Sequence, residues 1–350
     1  MLMTATQQLS NYYEASANLA SNAHAIDPDA MRAGFVAPIT DLGLLAFSGA
    51  DAVSFLQRQL TNDVEHMRSS EARLAGYCTA QGRLLATLLM WKSGENILLQ
   101  LPRELQPALQ KRLQMYVLRD KVVVADANAD HVLLGLGGAA AADALTQWFS
   151  QLPTEPYSIV ENEYGCLIRV ADAFDAPRYQ WVAPAEAIGK AWLALTARLK
   201  PLSANAWRLA NIDAGVPQIT APTQEKFIAQ MVNFEIIGGV SFKKGCYPGQ
   251  EVVARTQYLG KAKRRMLAAS IHLAHGEVTA GTDVFSSDDP GQPCGIIVNA
   301  ERSSPDQVNC LVSLRIPVPD GVTVHFGSAS GPLLRFEPLP YSLPDDSARS

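Results

Sequence analysis

Apolar positions along the chain fall into short runs whose period changes often, and the alternation predicts mixed helix and strand. Residues 42–49 have the texture of a strand closed by Gly49. Val53, Leu56 and Leu60 then share one face of a helix that Asp51 can cap and Thr61-Asn62-Asp63 breaks. Residues 74–79 and 84–91 flank Gln81-Gly82-Arg83 as a hairpin, and a turn at Ser93-Gly94-Glu95 returns the chain through 96–101. Helical spacing at Leu105, Leu109, Leu113 and Tyr116 follows Pro102 and Pro107, and 121–125 reads as a buried strand. This succession predicts α+β layers, not a strictly alternating parallel sheet.

A second α+β unit is predicted from about residue 130: a strand over 131–136, a helix over 139–151, short strands within 155–185 and a helix over 185–200. Residues 203–214 read as a further helix. Beyond 262, strand signals at 266–273, 282–285, 294–300 and 309–316 alternate with turns, as in a small β-barrel. The expected organisation is a lead-in segment (1–35, with a weak helical pattern), a first α+β lobe (36–130, with part of 200–260 packing on it) and a second lobe (131–200). A motif-bearing segment (201–262), a C-terminal β-barrel (263–338) and a loose tail (339–350) complete it.

Composition narrows the class. At 350 residues, 48% hydrophobic and 18% charged, the chain can bury cores for two or three domains. A net charge of -5 argues against wholesale nucleic-acid binding and leaves room for a local basic patch. Five scattered cysteines without a CxxC pair support neither a disulfide framework nor a self-contained metal site, and they suit a reducing compartment. The N-terminus lacks a secretory pattern, no Lys or Arg precedes Arg32, and no apolar run approaches the ~20 residues that span a bilayer. The expectation is a cytoplasmic protein without a membrane partner.

Candidate chemistry concentrates in Gly238-Gly-Val-Ser-Phe-Lys-Lys-Gly-Cys-Tyr-Pro-Gly-Gln-Glu-Val-Val-Ala-Arg255. Lys243 and Lys244 precede Cys246 closely enough to favour its thiolate, and Gly245 and Gly249 permit a tight turn that brings backbone N–H groups near a ligand. Lys244 can pair with a carboxylate, and Gln250 and Glu251 can hydrogen-bond a heterocycle. An isolated cysteine in such a turn is more often a small buried hydrophobe; the density of ligand-competent groups shifts the reading towards a site. Trp207 and Arg208 offer a plane and a cation, although a helical Trp commonly packs in a core. Arg255, Lys261, Lys263, Arg264 and Arg265 form either a solvated face or a site for polyanions such as polyglutamate or RNA. Gly135-Leu-Gly-Gly-Ala-Ala140 matches a loose GxGxxA pattern, but its context favours a plain strand-to-helix turn. The six histidines form no HExxH, and no GxSxG elbow occurs.

The octet Lys244-Gly-Cys-Tyr-Pro-Gly-Gln-Glu251 resembles the K-G-C-Y-x-G-Q-E signature of the YgfZ family, tetrahydrofolate-binding iron-sulfur maturation proteins related to the T-protein (aminomethyltransferase) of the glycine cleavage system. Residues 55–64, FLQRQLTNDV, resemble the family's FLQGQ(L/V)TxDV stretch, with Arg58 in place of a glycine, and 77–83 resemble its Y-C-x-x-x-G-R turn. The resemblance implies a cloverleaf of mixed α/β lobes with a C-terminal β-barrel around a central folate pocket. It implies Cys246 as the functional thiol, with Trp207, Lys244, Gly245, Tyr247, Gly249, Gln250, Glu251 and Arg255 as cofactor-contacting positions and no resident metal.

The implied function is a folate-dependent accessory protein supporting assembly or repair of iron-sulfur clusters, with tetrahydrofolate or a one-carbon derivative as cofactor and client enzymes or assembly factors as partners. A one-carbon transferase is the alternative, and an RNA-modification factor, here tRNA modification, a minor one. T-proteins carry K-G-D-F-I-G-[RK]-E at the signature, and their V-N-A-G-N and G-Y-T-G-E-D stretches have no match here, which weakens the case for aminomethyl transfer.

Overall fold

The computed structural model describes residues 5–21, 26, 28–258 and 262–344. The chain divides into two compact units, each assembled from separated stretches: residues 1–52, 67–72 and 90–210 in the first, and 53–66, 73–89 and 211–350 in the second.

The first unit contains a six-stranded sheet ordered Lys200–Pro201, Phe35–Pro38, His131–Gly137, Ala176–Pro184, Gly165–Ala173, Ile159–Asn162. Its neighbours run antiparallel except where Phe35–Pro38 meets Lys200–Pro201. The helix Ala185–Thr196 presents buried Ile188, Ala191, Trp192 and Leu195 to the core. Ala5–Ser21 forms a full 17-residue helix, where the weak sequence pattern predicted little. Tyr12, 2% exposed, meets Trp192 edge-on at 5.3 Å, so tertiary packing supplies the stability that local propensity lacks. The helix predicted over 139–151 is only Ala141–Leu145. The chain then turns back to place Trp148 and Phe149 against Trp181, and that aromatic burial outweighs further helical turns.

The glycines of the GxGxxA match serve packing in this unit. A side chain at Gly135 would strike the Trp207 ring, one at Gly137 would strike Phe35, and one at Gly138 would meet the backbone of Gly34. Elsewhere in the unit, Leu42–Ser48 pairs antiparallel with Asn96–Pro102 on one side and Val123–Asp126 on the other. Gln106, opening the helix Gln106–Val117, donates to Leu44 O at 3.2 Å and occupies the space a Cβ on Gly43 would need.

The second unit contains the short helix Ala52–Gln57 from Val53 on and the turn of the hairpin between Ala72–Cys78 and Leu84–Ser93, which holds Gly82 as expected. It also contains a C-terminal sheet ordered Val324–Phe326, Asp283–Ser286, Pro293–Ser304, Gln307–Arg315, Arg264–His272, Leu334–Glu337. Its neighbouring strands pair antiparallel, and His325 bridges Leu333, so the two outer strands are joined and the sheet curls on itself. Ile271, Val284, Ile297, Cys310 and Val312 fill its interior. The outer strands Val324–Phe326 and Leu334–Glu337 have no counterpart among the strands predicted from sequence.

The expectation of a loose tail after Pro338 is corrected by Tyr341. Its hydroxyl donates to Gly215 O at 2.8 Å, and its ring covers Gly215, where a Cβ would lie 2.7 Å from the ring. The final six residues of that predicted tail, 345–350, lie outside the described residues. No helix among the described residues is long and apolar enough to cross a membrane.

Candidate functional site

Two segments singled out in the sequence meet in the second unit. The Thr61-Asn62 pair of the FLQRQLTNDV stretch grips the start of the Gly238–Arg255 segment. Thr61 Oγ1 donates to Gly239 O at 2.6 Å, and Asn62 Nδ2 donates to Gly238 O and to Leu74 O, each at 2.7 Å. Ser241 N returns a bond to Thr61 O at 3.0 Å. The stretch itself is wired by Gln57, whose Oε1 accepts from Val64 N at 2.7 Å and whose Nε2 donates to Asp63 Oδ1 at 3.1 Å. Arg58, the departure from the family glycine, is exposed.

Lys244 turns inward to the C-terminal end of the helix Ala52–Gln57. Its Nζ donates to the carbonyls of Gln57 and, at 2.5 Å, of Leu60, groups that a helix end leaves without intrahelical partners. The same Nζ sits 5.0 Å from the centroid of the Tyr247 ring. Burial lowers the Lys244 pKa to about 8, and the charges of Asp63, Cys246 and Glu65 oppose that fall. Instead of the carboxylate partner expected from sequence, Lys244 takes two carbonyls and a ring face.

Cys246 is exposed, the one thiol of the five that is; Cys294 is half-buried and the other three are buried. Burial pushes Cys78 and Cys310 up to about 12 and raises Cys166 and Cys294 as well. Tyr247, 7% exposed, anchors the turn, and desolvation raises its hydroxyl. Gly249, at φ +82, lies against the hairpin turn: a Cβ there would come within 2.5 Å of Gly82 N, Gly82 Cα and Thr79 O. Gly245 has neither positive φ nor any atom within 4 Å of an added Cβ, so the tight turn expected at both glycines is required only at Gly249.

Gln250 begins the helix Gln250–Tyr258 and turns its Oε1 back to accept from Tyr247 N at 3.3 Å. Glu251 and Arg255 pair with each other at 2.7 Å across one helical turn, with side chains 83% and 67% exposed. In the first unit, Trp207 is 3% exposed, its ring packed on Gly135 and covered by the Arg178 guanidinium 4.8 Å from its centroid. It is a core aromatic, not an open stacking plate. Its neighbour Arg208 donates to Asp41 Oδ2 at 2.7 Å, while Asp41 Oδ1 is buried with no partner among the described residues. Sequence reasoning missed Asp41, because a single acidic residue before a strand carries no signal.

The basic run does not act as one solvated face. Arg265 is buried in an ion pair with Glu235, and Arg255 is paired to Glu251, while Lys263 is exposed and Lys261 lies outside the described residues. Arg264 joins Arg83 and Lys226 in lining a cleft of about 260 Å³ in the second unit. Burial and then the nearby Arg315 and Arg83 charges lower the Arg264 pKa. Asp283 also lines the cleft and opposes that fall, so three basic side chains face one carboxylate there.

No protein-family model matches the chain. Individual proteins do. The tRNA-modifying protein YgfZ of Shigella sonnei is 31% identical over 309 residues, covering 87% of this chain and 92% of its own. That of Klebsiella pneumoniae is 31% identical over 311 residues, covering 88% and 93%. Among solved structures, glycine cleavage system aminomethyltransferase T from Bartonella henselae superposes with a TM-score of 0.70 at 16% identity, covering 88% of this chain and 86% of that one. The chain therefore has a mixed α/β fold similar to that of aminomethyltransferase T, as the resemblance implied. Within that class, the chain belongs to the YgfZ family.

Proposed function

We propose that this protein is a folate-dependent accessory factor that supports assembly or repair of iron-sulfur clusters in client enzymes, with Cys246 as its reactive group. The observation that carries the reading is the exposed Cys246 thiol beside the half-buried Lys244 ammonium, held on a turn that Thr61, Asn62 and Gly82 brace from the same unit. A cationic neighbour favours the thiolate, which is the nucleophile and the metal ligand. One thiolate supplies one of the four ligands that a cluster takes, so a cluster passing through this site draws the rest from its client or from an exogenous thiol.

Tetrahydrofolate, the cofactor that the resemblance of the signature implies, would supply a one-carbon carrier or a reduced pterin when bound. The residues fit part of such a molecule: Asp41 Oδ1 is a buried acceptor in need of an N–H, and Arg208 holds that carboxylate in place. Trp207, packed between Gly135 and Arg178, is a wall of the core and not a stacking surface in this reading. Lys244 and Tyr247 shape the thiol turn, and Glu251 and Arg255 stay in solvent.

The test is a pair of measurements: titration with tetrahydrofolate, and rescue of iron-sulfur enzyme activity in a deletion strain by the wild type and by Cys246→Ala. The expected outcome is that Cys246→Ala binds folate and does not rescue. Full rescue by Cys246→Ala, or robust tetrahydrofolate-dependent release of ammonia or formaldehyde from an aminomethyl donor, would overturn the reading.

A second reading, direct action on tRNA, is favoured by the name its relatives carry and by the Arg83, Lys226 and Arg264 cleft. It predicts salt-sensitive tRNA binding that weakens in Arg83→Ala and Lys226→Ala. Absence of binding at low salt would dispose of it.

A further inference from the structure

The C-terminal sheet carries a cavity of about 230 Å³ where two of its loops meet, and none of the lining residues belongs to the signature segment. The first loop, 287–292, joins Asp283–Ser286 to Pro293–Ser304, and the second, 316–323, joins Gln307–Arg315 to Val324–Phe326. Two hydrogen bonds tie them together: Ser287 N donates to Thr323 O at 2.9 Å, and Thr323 N donates to Ser287 Oγ at 3.0 Å. Val322 N closes a turn on Pro319 O at 3.1 Å. The walls are thus held by the protein's own bonds, which lowers the ordering cost of binding.

The lining divides by chemistry. Leu314, Val318, Val322 and Val324 supply an apolar floor, and Leu314 and Val324 continue it into the buried interior of the sheet. Asp288, Asp289 and Arg315, all exposed, also line the cavity, and Gln292 adds an amide. Although charges of both signs share this small space, none of the three forms an ion pair among the described residues. Nor does the strand pair supply Arg315 with a partner: the residue opposite it is Arg264, and like charges directly opposite repel. The two carboxylates and the guanidinium therefore stay apart, each open to a ligand group of opposite charge.

We infer that this cavity binds a free α-amino acid with a branched apolar side chain. The ligand's carboxylate accepts the paired N–H bonds of the Arg315 guanidinium, and its ammonium donates to Asp288, Asp289 and the Gln292 amide oxygen. Its side chain lies on Leu314, Val318, Val322 and Val324. A peptide terminus offers one of the two charged groups without the other, and a polyamine leaves Arg315 unmatched. The volume is below the ~300 Å³ at which pockets for drug-sized ligands begin, which suits so small a molecule.

The experiment is titration of the full chain, followed by calorimetry or ligand-observed NMR, with L-leucine, N-acetyl-L-leucine, L-leucinamide, L-alanine and putrescine. Acetylation removes the ammonium, amidation removes the carboxylate, and alanine lacks most of the apolar contact. Saturable binding of L-leucine is expected, with each of the other compounds at least about tenfold weaker. Putrescine binding as tightly as leucine would mean that the two carboxylates act alone, and it would overturn the inference.

Arg315→Gln, which removes the cation at an exposed position, and Val318→Trp, which fills the floor and leaves the charges untouched, should each weaken leucine binding by at least about tenfold. If Val318→Trp does not fold, Arg315→Gln decides alone. The inference is also overturned if leucine does not saturate, if the acetylated compound, the amide or alanine binds equally well, or if folded variants bind as the wild type does.

Discussion

Gly82 and Gly249 meet backbone to backbone: a Cβ on Gly249 would lie 2.5 Å from Gly82 N and Cα, and one on Gly82 would lie 3.0 Å from Gly249 O. Both residues have positive φ, +73 and +82. The hairpin turn and the thiol-bearing turn thus support each other through an approach that only glycine permits.

Gly249→Ala is expected to destabilise the fold by about 2–4 kcal/mol, since it combines a left-handed backbone with a clash against main-chain atoms that have no room to move. Gly245→Ala, facing open space, should stay within about 0.5 kcal/mol of the wild type. Chemical denaturation of the two variants side by side checks the contrast. Equal losses would mean that the approach of Gly249 to Gly82 carries no stability.

Thr61 bridges two segments with one hydroxyl, donating to Gly239 O at 2.6 Å and accepting from Gly76 N at 2.7 Å. Thr61→Val keeps the shape and strands both buried partners, a loss of about 1–3 kcal/mol; Thr61→Ser should recover most of it. Urea midpoints for the three proteins test this, and a Val variant as stable as the wild type would contradict it.

Lys244 should titrate with a midpoint near 8, well below a free lysine, because burial disfavours its charge. The unfolded chain then binds more protons than the folded one between about pH 8 and pH 10.4, the ordinary lysine value, so this residue's contribution to stability rises with pH across that window. Asp63→Asn removes an opposing charge and should lower the midpoint further. Isotope-edited NMR of the lysine ε-carbons reads both midpoints, and an unshifted Asp63→Asn value would remove Asp63 from the account.

Thiol labelling of the native protein should occur first at Cys246, while Cys78, Cys166 and Cys310, all buried, react only after unfolding. Cys246→Ala should abolish the fast phase and leave the melting temperature unchanged. Mass mapping of the labelled sites decides; rapid labelling in Cys246→Ala at a buried position would refute the assignment.

Much of the architecture was legible because hydrophobic period is a local property. The strand signal at 42–49, the turn at Gly82, the helix after Pro102 and the C-terminal strand signals at 266–273, 282–285, 294–300 and 309–316 all lie within about four residues of their places in the fold. The signature was legible for a different reason: its residue types are unusual in combination, so its order alone distinguishes this chain from T-proteins. The helix Ala5–Ser21 and the anchoring of Tyr341 were not legible, because each depends on a partner far away in sequence, Trp192 and Gly215 respectively.

The sequence by itself determined the succession of elements, the family, and the presence of one cysteine among glycines and lysines. Only the tertiary structure decided what those residues do. Lys244 reaches carbonyls at Gln57 and Leu60, more than 180 residues earlier, Trp207 is enclosed by Gly135 and Arg178, and Glu251 and Arg255 pair in solvent. Period and propensity act over a few residues, whereas burial and hydrogen-bond partnership depend on which distant segments pack together.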